Sequence, residues 1–235
     1  MRSATWNGAK SAGTIPPTPE YENHRPRNSR QTMPKPKTEC KIYSAPGDYV
    51  VRPVEEISDV VQPGDACFTK GMDPVGAVIT AFTQKYLPSG EWCPTHVEIV
   101  YEVIFGIGAV NFTAGPRGYI PRPLLRHARK GNDIQIWRRK GLTAPKKRRI
   151  KTETIRLATR DQGYGWNEAI RIGLPFLPSV RNLTHHCSEA FCLIQRKANI
   201  DLFPGQDLEK VPPSMALAEI HRLEEMEEWV LVAEF

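Results

Sequence analysis

An α+β domain is the fold class this sequence predicts, and three observations carry that expectation. Runs of β-branched residues with period-two alternation occupy the middle of the chain, as in His96-Val97-Glu98-Ile99-Val100-Tyr101. Apolar residues at helical spacing dominate the C-terminal part, as in the stripe of Cys187, Ala190, Phe191 and Ile194. Hydrophobic residues make up 40% of the 235 and charged residues 25%, enough apolar material for one core and too much for a chain disordered throughout.

Residues 1–45 contain Pro16, Pro17, Pro19, Pro26, Pro34 and Pro36 among polar neighbours and almost no aliphatic ones. Burial cannot offset the ordering entropy of such a stretch, so a disordered, basic, Pro-rich extension is expected there and a folded domain over 46–235. Tyr49-Val50-Val51 is strand-like, Pro63-Gly64-Asp65 is a turn, and Ala66-Cys67-Phe68-Thr69 reads as a short strand. Val75, Val78, Ile79 and Phe82 recur at i, i+3, i+4 and i+7 and predict an amphipathic helix.

After a loop with Pro88, Gly90 and Pro94, residues 96–101 predict a half-buried strand, with His96 and Glu98 opposite its β-branched face. Gly106 and Gly108 turn the chain into a second strand, Ala109 to Ala114, on which Asn111 and Thr113 share a face. A third strand is expected at Ile134–Trp137. Lys146-Lys147-Arg148-Arg149 beside Pro145 reads as a solvated loop. Helical spacing covers Thr152–Arg160, ending near Gly163, then Trp166–Ile172 before the breakers Gly173–Pro178. The clearest helix begins at Thr184. Pro213-Ser214 opens the last one with Ser214 as cap, and Trp229–Val232 closes as a strand.

Lys plus Arg number 32 against 26 Asp plus Glu, a net charge of +6 that is locally distributed: the N-terminal segment and residues 146–149 are basic, whereas Glu224, Glu225, Glu227 and Glu228 are acidic. A polyanion partner is compatible with this balance and not required by it. The five cysteines, Cys40, Cys67, Cys93, Cys187 and Cys192, are odd in number and lack paired spacing, which leaves at least one free thiol and fits a reducing compartment. No apolar run suggests a signal peptide or a membrane span, so a soluble, cytoplasmic protein is expected.

A thiol becomes a useful nucleophile when its thiolate is stabilised, and the first turn of a helix does so with unpaired N–H groups and the positive end of the dipole. With Thr184 as N-cap, Cys187 falls in that turn. His96, on a strand just past a Pro-containing loop, is the candidate base. Asn111 and Thr113 on the adjoining strand are candidates to orient its ring, Asn111 being chemically the better acceptor.

These residues, in this order, resemble the circularly permuted NlpC-type papain-like cysteine hydrolases, the YiiX-like and YaeF-like enzymes. The matching stretches are Pro63-Gly64-Asp65, Thr95-His96-Val97-Glu98-Ile99-Val100, Phe112-Thr113-Ala114 and His186-Cys187-Ser188-Glu189, with weaker parallels at Gly163-Tyr164-Gly165-Trp166 and Pro212-Pro213-Ser214. They span about residues 55–232. The resemblance implies a permuted papain-like fold with a small antiparallel sheet packed on the nucleophile helix, no cofactor, and cleavage of an amide or ester through a Cys187–His96 acyl-enzyme. The substrates it implies are a peptidoglycan peptide, an acyl lipid or a protein. The family often has Glu at the third site, where this chain offers Asn111 or Thr113. Glu98 replaces a small residue beside the histidine and is a further candidate orienter.

Competing readings attach to the same residues. A buried cysteine or a lone histidine is ordinarily structural. Cys93, His96, His185, His186 and Cys187 have spacing compatible with zinc, although His185 and His186 read better as a capping or surface pair. Lys146, Lys147, Arg148 and Arg149 are a candidate contact for nucleic acid or anionic lipid. Trp92, Trp166 and Phe176 could line a groove, Cys40 falls in the extension, and Cys67 and Cys192 look structural. From a different class stands a papain-like binding module without catalysis.

Overall fold

The computed structural model describes residues 34–71, 74–115, 118–160 and 185–235. Eight strands are described: β1 (Glu39–Ala45), β2 (Asp48–Pro53), β3 (Ala66–Lys70), β4 (His96–Ile104), β5 (Gly108–Gly115), β6 (Gly118–Pro123), β7 (Asp133–Arg139) and β8 (Trp229–Glu234). They make one sheet in the order β2-β1-β8-β7-β3-β4-β5-β6, antiparallel throughout. The helices are α1 (Ile57–Val60), α2 (Pro74–Thr83), α3 (Leu125–Arg129), α4 (Ala144–Arg160), α5 (Cys187–Lys197) and α6 (Pro213–Glu225). The class is α+β, and the sheet is larger than the small one expected, because β1 and β6 join it.

Strand β3 shows why the sheet is covered on both faces. Ala66 and Phe68 enter one core together with Val97, Ile99, Phe112, Phe191, Ile194 and residues of α4 to α6. Cys67 enters another with Ile57, Val100, Leu124, Ala128 and Ile136. Alternation along a strand sends neighbours to opposite faces, so a sheet roofed twice buries both sets. Strand β4 is accordingly not half-buried: Val97, Glu98, Ile99 and Val100 are all inside.

The turn before β3 is fixed by Gly64 and Asp65. Gly64 has φ +97°, a conformation strained for any residue with a Cβ, which would also displace the Leu142 side chain 2.7 Å away, so glycine is strongly favoured. The buried Asp65 carboxylate accepts from Arg138 Nε (2.9 Å), Arg138 Nη2 (2.7 Å) and the Gln62 N–H (2.8 Å), tying the start of β3 to β7.

Several expectations change here for physical reasons. Residues 39–45, assigned to the disordered extension, form β1; Lys41 and Ile42 pair with Glu234 and Ala233, partners so distant in sequence that local composition cannot reveal them. Cys40 is buried within that strand rather than free in a tail. Residues 145–149, read as a solvated loop, lie in the opening turns of α4. Pro145 is harmless in a first turn, where N–H groups have no intrahelical partner, and Ile150, Thr154 and Leu157 supply the buried stripe. Val78 and Phe82 of α2 face outward, 54% and 40% exposed, while Gly76 and Thr83 face inward. Ser214 does not cap α6: Pro212 is the N-cap, and Ser214 Oγ donates to the Thr83 carbonyl (3.0 Å). The helix expected at 166–172 and the breakers at 173–178 lie outside the described residues, whereas the helix expected to begin at Thr184 starts at Cys187, with His186 rather than Thr184 as its N-cap, because the His186 ring and Glu189 form a reciprocal capping pair. Among the described residues no helix is long and apolar enough to cross a membrane.

Candidate active site

Helix α5 begins at Cys187, and its start is built by the residues around it. His186 is the N-cap: its Nδ1 accepts from the Glu189 N–H (3.3 Å), while Glu189 Oε2 accepts from the His186 N–H (3.4 Å). This reciprocal arrangement satisfies two otherwise orphan donors. The His186 ring is held further by its Nε2–H, which donates to the Glu209 carbonyl (3.0 Å). Ser188 Oγ donates to the Val211 carbonyl (2.6 Å), locking the turn from below. Cys187, Ala190, Phe191 and Ile194 are all buried, as their spacing requires, and Cys187 retains 3% exposure.

Strand β4 brings His96 to this helix start. The imidazole and the Cys187 thiol are hydrogen-bonded and interact as charges. His96 Nε2 lies 2.5 Å from Thr113 Oγ1 and 3.5 Å from Glu98 Oε1, and its side chain keeps 21% exposure, so the pair is reachable from solvent. Asn111 does not touch the ring. Its Nδ2 donates to Glu98 Oε2 at 3.0 Å, because it stands further along β5, opposite Val100. Of the three candidates to orient His96, Thr113 and Glu98 lie against the ring and Asn111 bonds Glu98 instead.

Beneath the ring, Glu98 is 3% exposed and accepts from both Asn111 and His127 Nε2 (3.1 Å). Burial alone would keep such a carboxyl protonated, but His127 and His96 outweigh it and hold Glu98 well below the usual carboxylate range. His96 responds in the opposite sense: burial disfavours its cation, yet Cys187 and Glu98 push it up to about 10. Burial likewise pushes the Cys187 thiol up, and His96 together with His186 overcomes this, holding it well below the ordinary thiol value. The resting state these partners favour is a thiolate beside an imidazolium.

The other thiols behave differently. Burial pushes Cys40 up to about 11 and raises Cys67, Cys93 and Cys192 as well. Cys93 Sγ sits near Thr83 Oγ1 (3.8 Å) and the Pro94 carbonyl (3.9 Å). Among the described residues no group of three or more His, Cys, Asp or Glu side chains is placed to hold a metal ion. The basic run lies on α4, where Lys147 Nζ donates to Gln62 Oε1 (2.7 Å) and Arg148 and Arg149 are exposed. Trp92 is half-buried against the core, whereas Trp166 and Phe176 lie outside the described residues.

His127 was not legible in the sequence. It sits on a five-residue helix, 29 positions from the carboxylate it touches, with no motif around it. His186 was legible as a cap but not as a second partner of the sulfur, a role that follows from its adjacency to Cys187 once the helix is known to start there.

Fold and side-chain geometry together define an α+β protein with a buried Cys–His pair at a helix N-terminus. No family model matches the chain, and no curated protein matches it. One solved structure to which it is similar is the metalloprotein yiiX from Escherichia coli O157:H7, with 17% sequence identity and a TM-score of 0.46, covering 74% of this chain and 89% of that one.

Proposed function

We propose that this protein is a cysteine hydrolase that cleaves an amide or ester bond through an acyl-enzyme, in a circularly permuted papain-like arrangement. The observation that carries the reading is the meeting of Cys187, first residue of α5, with His96, first residue of β4. A thiolate there gains from the N–H groups of the first turn and from the imidazolium beside it.

In the reaction, the Cys187 thiolate attacks the substrate carbonyl and forms a tetrahedral adduct. The positive end of the α5 dipole, where the chain begins its helix at Cys187, stabilises the developing oxyanion. Nε2 lies against Thr113 and Glu98, so this mechanism assigns Nδ1 of His96 to the sulfur and to protonation of the leaving amine or alcohol. The same nitrogen then takes a proton from water, which attacks the thioester and releases the acid. Chain order supports the permuted reading, since the strand-borne histidine precedes the helix-borne cysteine by 91 positions (187 − 96).

The substrate classes within this chemistry are peptide amides, including peptidoglycan stems, and acyl lipids. Peptide and acyl electrophiles directed at cysteine test the proposal. Wild-type protein is expected to form a covalent adduct at Cys187, and Cys187→Ala to form none there while retaining its circular dichroism spectrum. Hydrolysis undiminished in Cys187→Ala would refute it.

A further inference from the structure

The His96 ring meets a carboxylate that is held from the face of the sheet opposite the nucleophile helix. Glu98 lies on the face of β4 that also carries Val100, whose core is roofed by α1 and α3 rather than by the nucleophile helix. From α3, His127 reaches in to donate its Nε2–H to Glu98 Oε2 at 3.1 Å. The opposite nitrogen of that ring, Nδ1, stands 3.3 Å from Asn132 Nδ2. An amide nitrogen can only donate, so as placed it fixes the His127 proton on Nε2, where Glu98 needs it. Asn132 is itself held, its backbone N–H donating to the His127 carbonyl (3.1 Å).

The donors run in series to one carboxylate, Asn132 to His127 and then His127 and Asn111 to Glu98 Oε2, with Oε1 left toward His96 at 3.5 Å. We propose that His127 is a positioning residue of the Cys187–His96 site, acting through Glu98. It keeps the buried carboxylate ionised and its free oxygen aimed at the imidazolium, so that residues on one face of the sheet set the thiolate on the other. This inference rests on the Cys–His reading above and assigns to the pair Glu98–His127 the orienting charge that Thr113, a neutral hydroxyl, does not supply.

The physical argument is one of uncompensated charge. A carboxylate 3% exposed survives ionised only if donors replace the water it has lost. Among the described residues, the titratable groups that act on Glu98 or stand opposite it are His96 on its own strand, Cys67 directly opposite on β3, and His127 on α3. Cys67 is pushed well above the ordinary thiol value, chiefly by its burial, and stays neutral. On the 3-10 turn Val54–Glu56, which packs against α3, Glu55 and Glu56 add negative charge, which acts on Cys40. Without the His127 donor, Glu98 takes up a proton, the imidazolium loses its counter-charge, and the sulfur ionises at higher pH.

The test is the pH dependence of Cys187 alkylation by iodoacetamide, read site by site by peptide mapping. His127→Phe fills the volume without a donor, and His127→Leu serves if the phenylalanine does not fit. His127→Gln restores a donor. Wild type is expected to react in mildly acidic solution. His127→Phe is expected to shift the midpoint up by about one pH unit, a roughly tenfold slower reaction at fixed acid pH, and His127→Gln to recover most of that loss. A His127→Phe midpoint equal to that of an activated wild type overturns the positioning role and leaves the Cys–His pair standing. A wild-type Cys187 no more reactive than a model thiol overturns both.

Discussion

Two cysteines on one helix have opposite fates. Cys187 and Cys192 both lie in α5, both are buried and both touch the same core, yet the first is held well below the ordinary thiol value and the second is raised by its burial. Five residues separate them. Burial disfavours a thiolate at either position, so burial cannot be what makes one reactive. The difference is position: Cys187 opens the first turn, at the positive end of the helix dipole where His96 and His186 converge, whereas Cys192 lies in the interior of the helix, its N–H already bonded within it. A helix start turns a small hydrophobe into a nucleophile only when a base is brought to it from another element.

The largest expected effect breaks this comparison by exchange of roles. Cys187→Ala should reduce turnover by about 10³-fold or more, with the melting temperature little changed, while Cys192→Ala should leave Cys187 labelling intact; both are read by mass-resolved labelling and thermal melts. Next comes pH. His96 is raised from 6.5 to about 10, so its stabilising contribution is complete below 6.5 and is lost as pH rises through about 10. Cys187 is depressed, so its contribution is present above the ordinary thiol value and is lost as pH falls through the lowered one. Turnover should therefore fall on the alkaline side near pH 10, where the general acid loses its proton; an activity profile that rises through that range would contradict the assignment.

Smaller effects sharpen the same contrast. Phe191→Ala removes a ring that packs edge-on against Phe68, and should cost about 3–5 kcal/mol in urea unfolding without moving the alkylation midpoint of Cys187. Glu189→Ala dismantles the capping box and should cost about 1 kcal/mol by the same measurement. Lys147→Gln, at an exposed contact with Gln62, should change stability by less than about 0.5 kcal/mol.

What could be read in the sequence was whatever depends on local pattern. The stripe of Cys187, Ala190, Phe191 and Ile194 specifies a buried face by its period, and the strand with His96 announces itself by β-branched residues. The pairing of these two elements came from the order of motifs, and the structure brings them together. What could not be read depends on partners far away. β1 gains its place from β8 at the other end of the chain. Asn111 and Thr113 alternate equally well on paper, and only the register of β5 against β4 decides that Thr113 meets the ring while Asn111 meets Glu98. His127 reaches Glu98 from α3, a helix on the sheet face opposite α5, through a contact that no spacing encodes.

The central claim is that His96 makes Cys187 a thiolate. Titration of the thiolate ultraviolet absorbance in wild type and in His96→Ala measures this with no substrate needed. Wild type should retain one thiolate into acidic solution, and His96→Ala should move that titration toward the free thiol value of about 8.5. Superimposable curves for the two proteins would contradict the account.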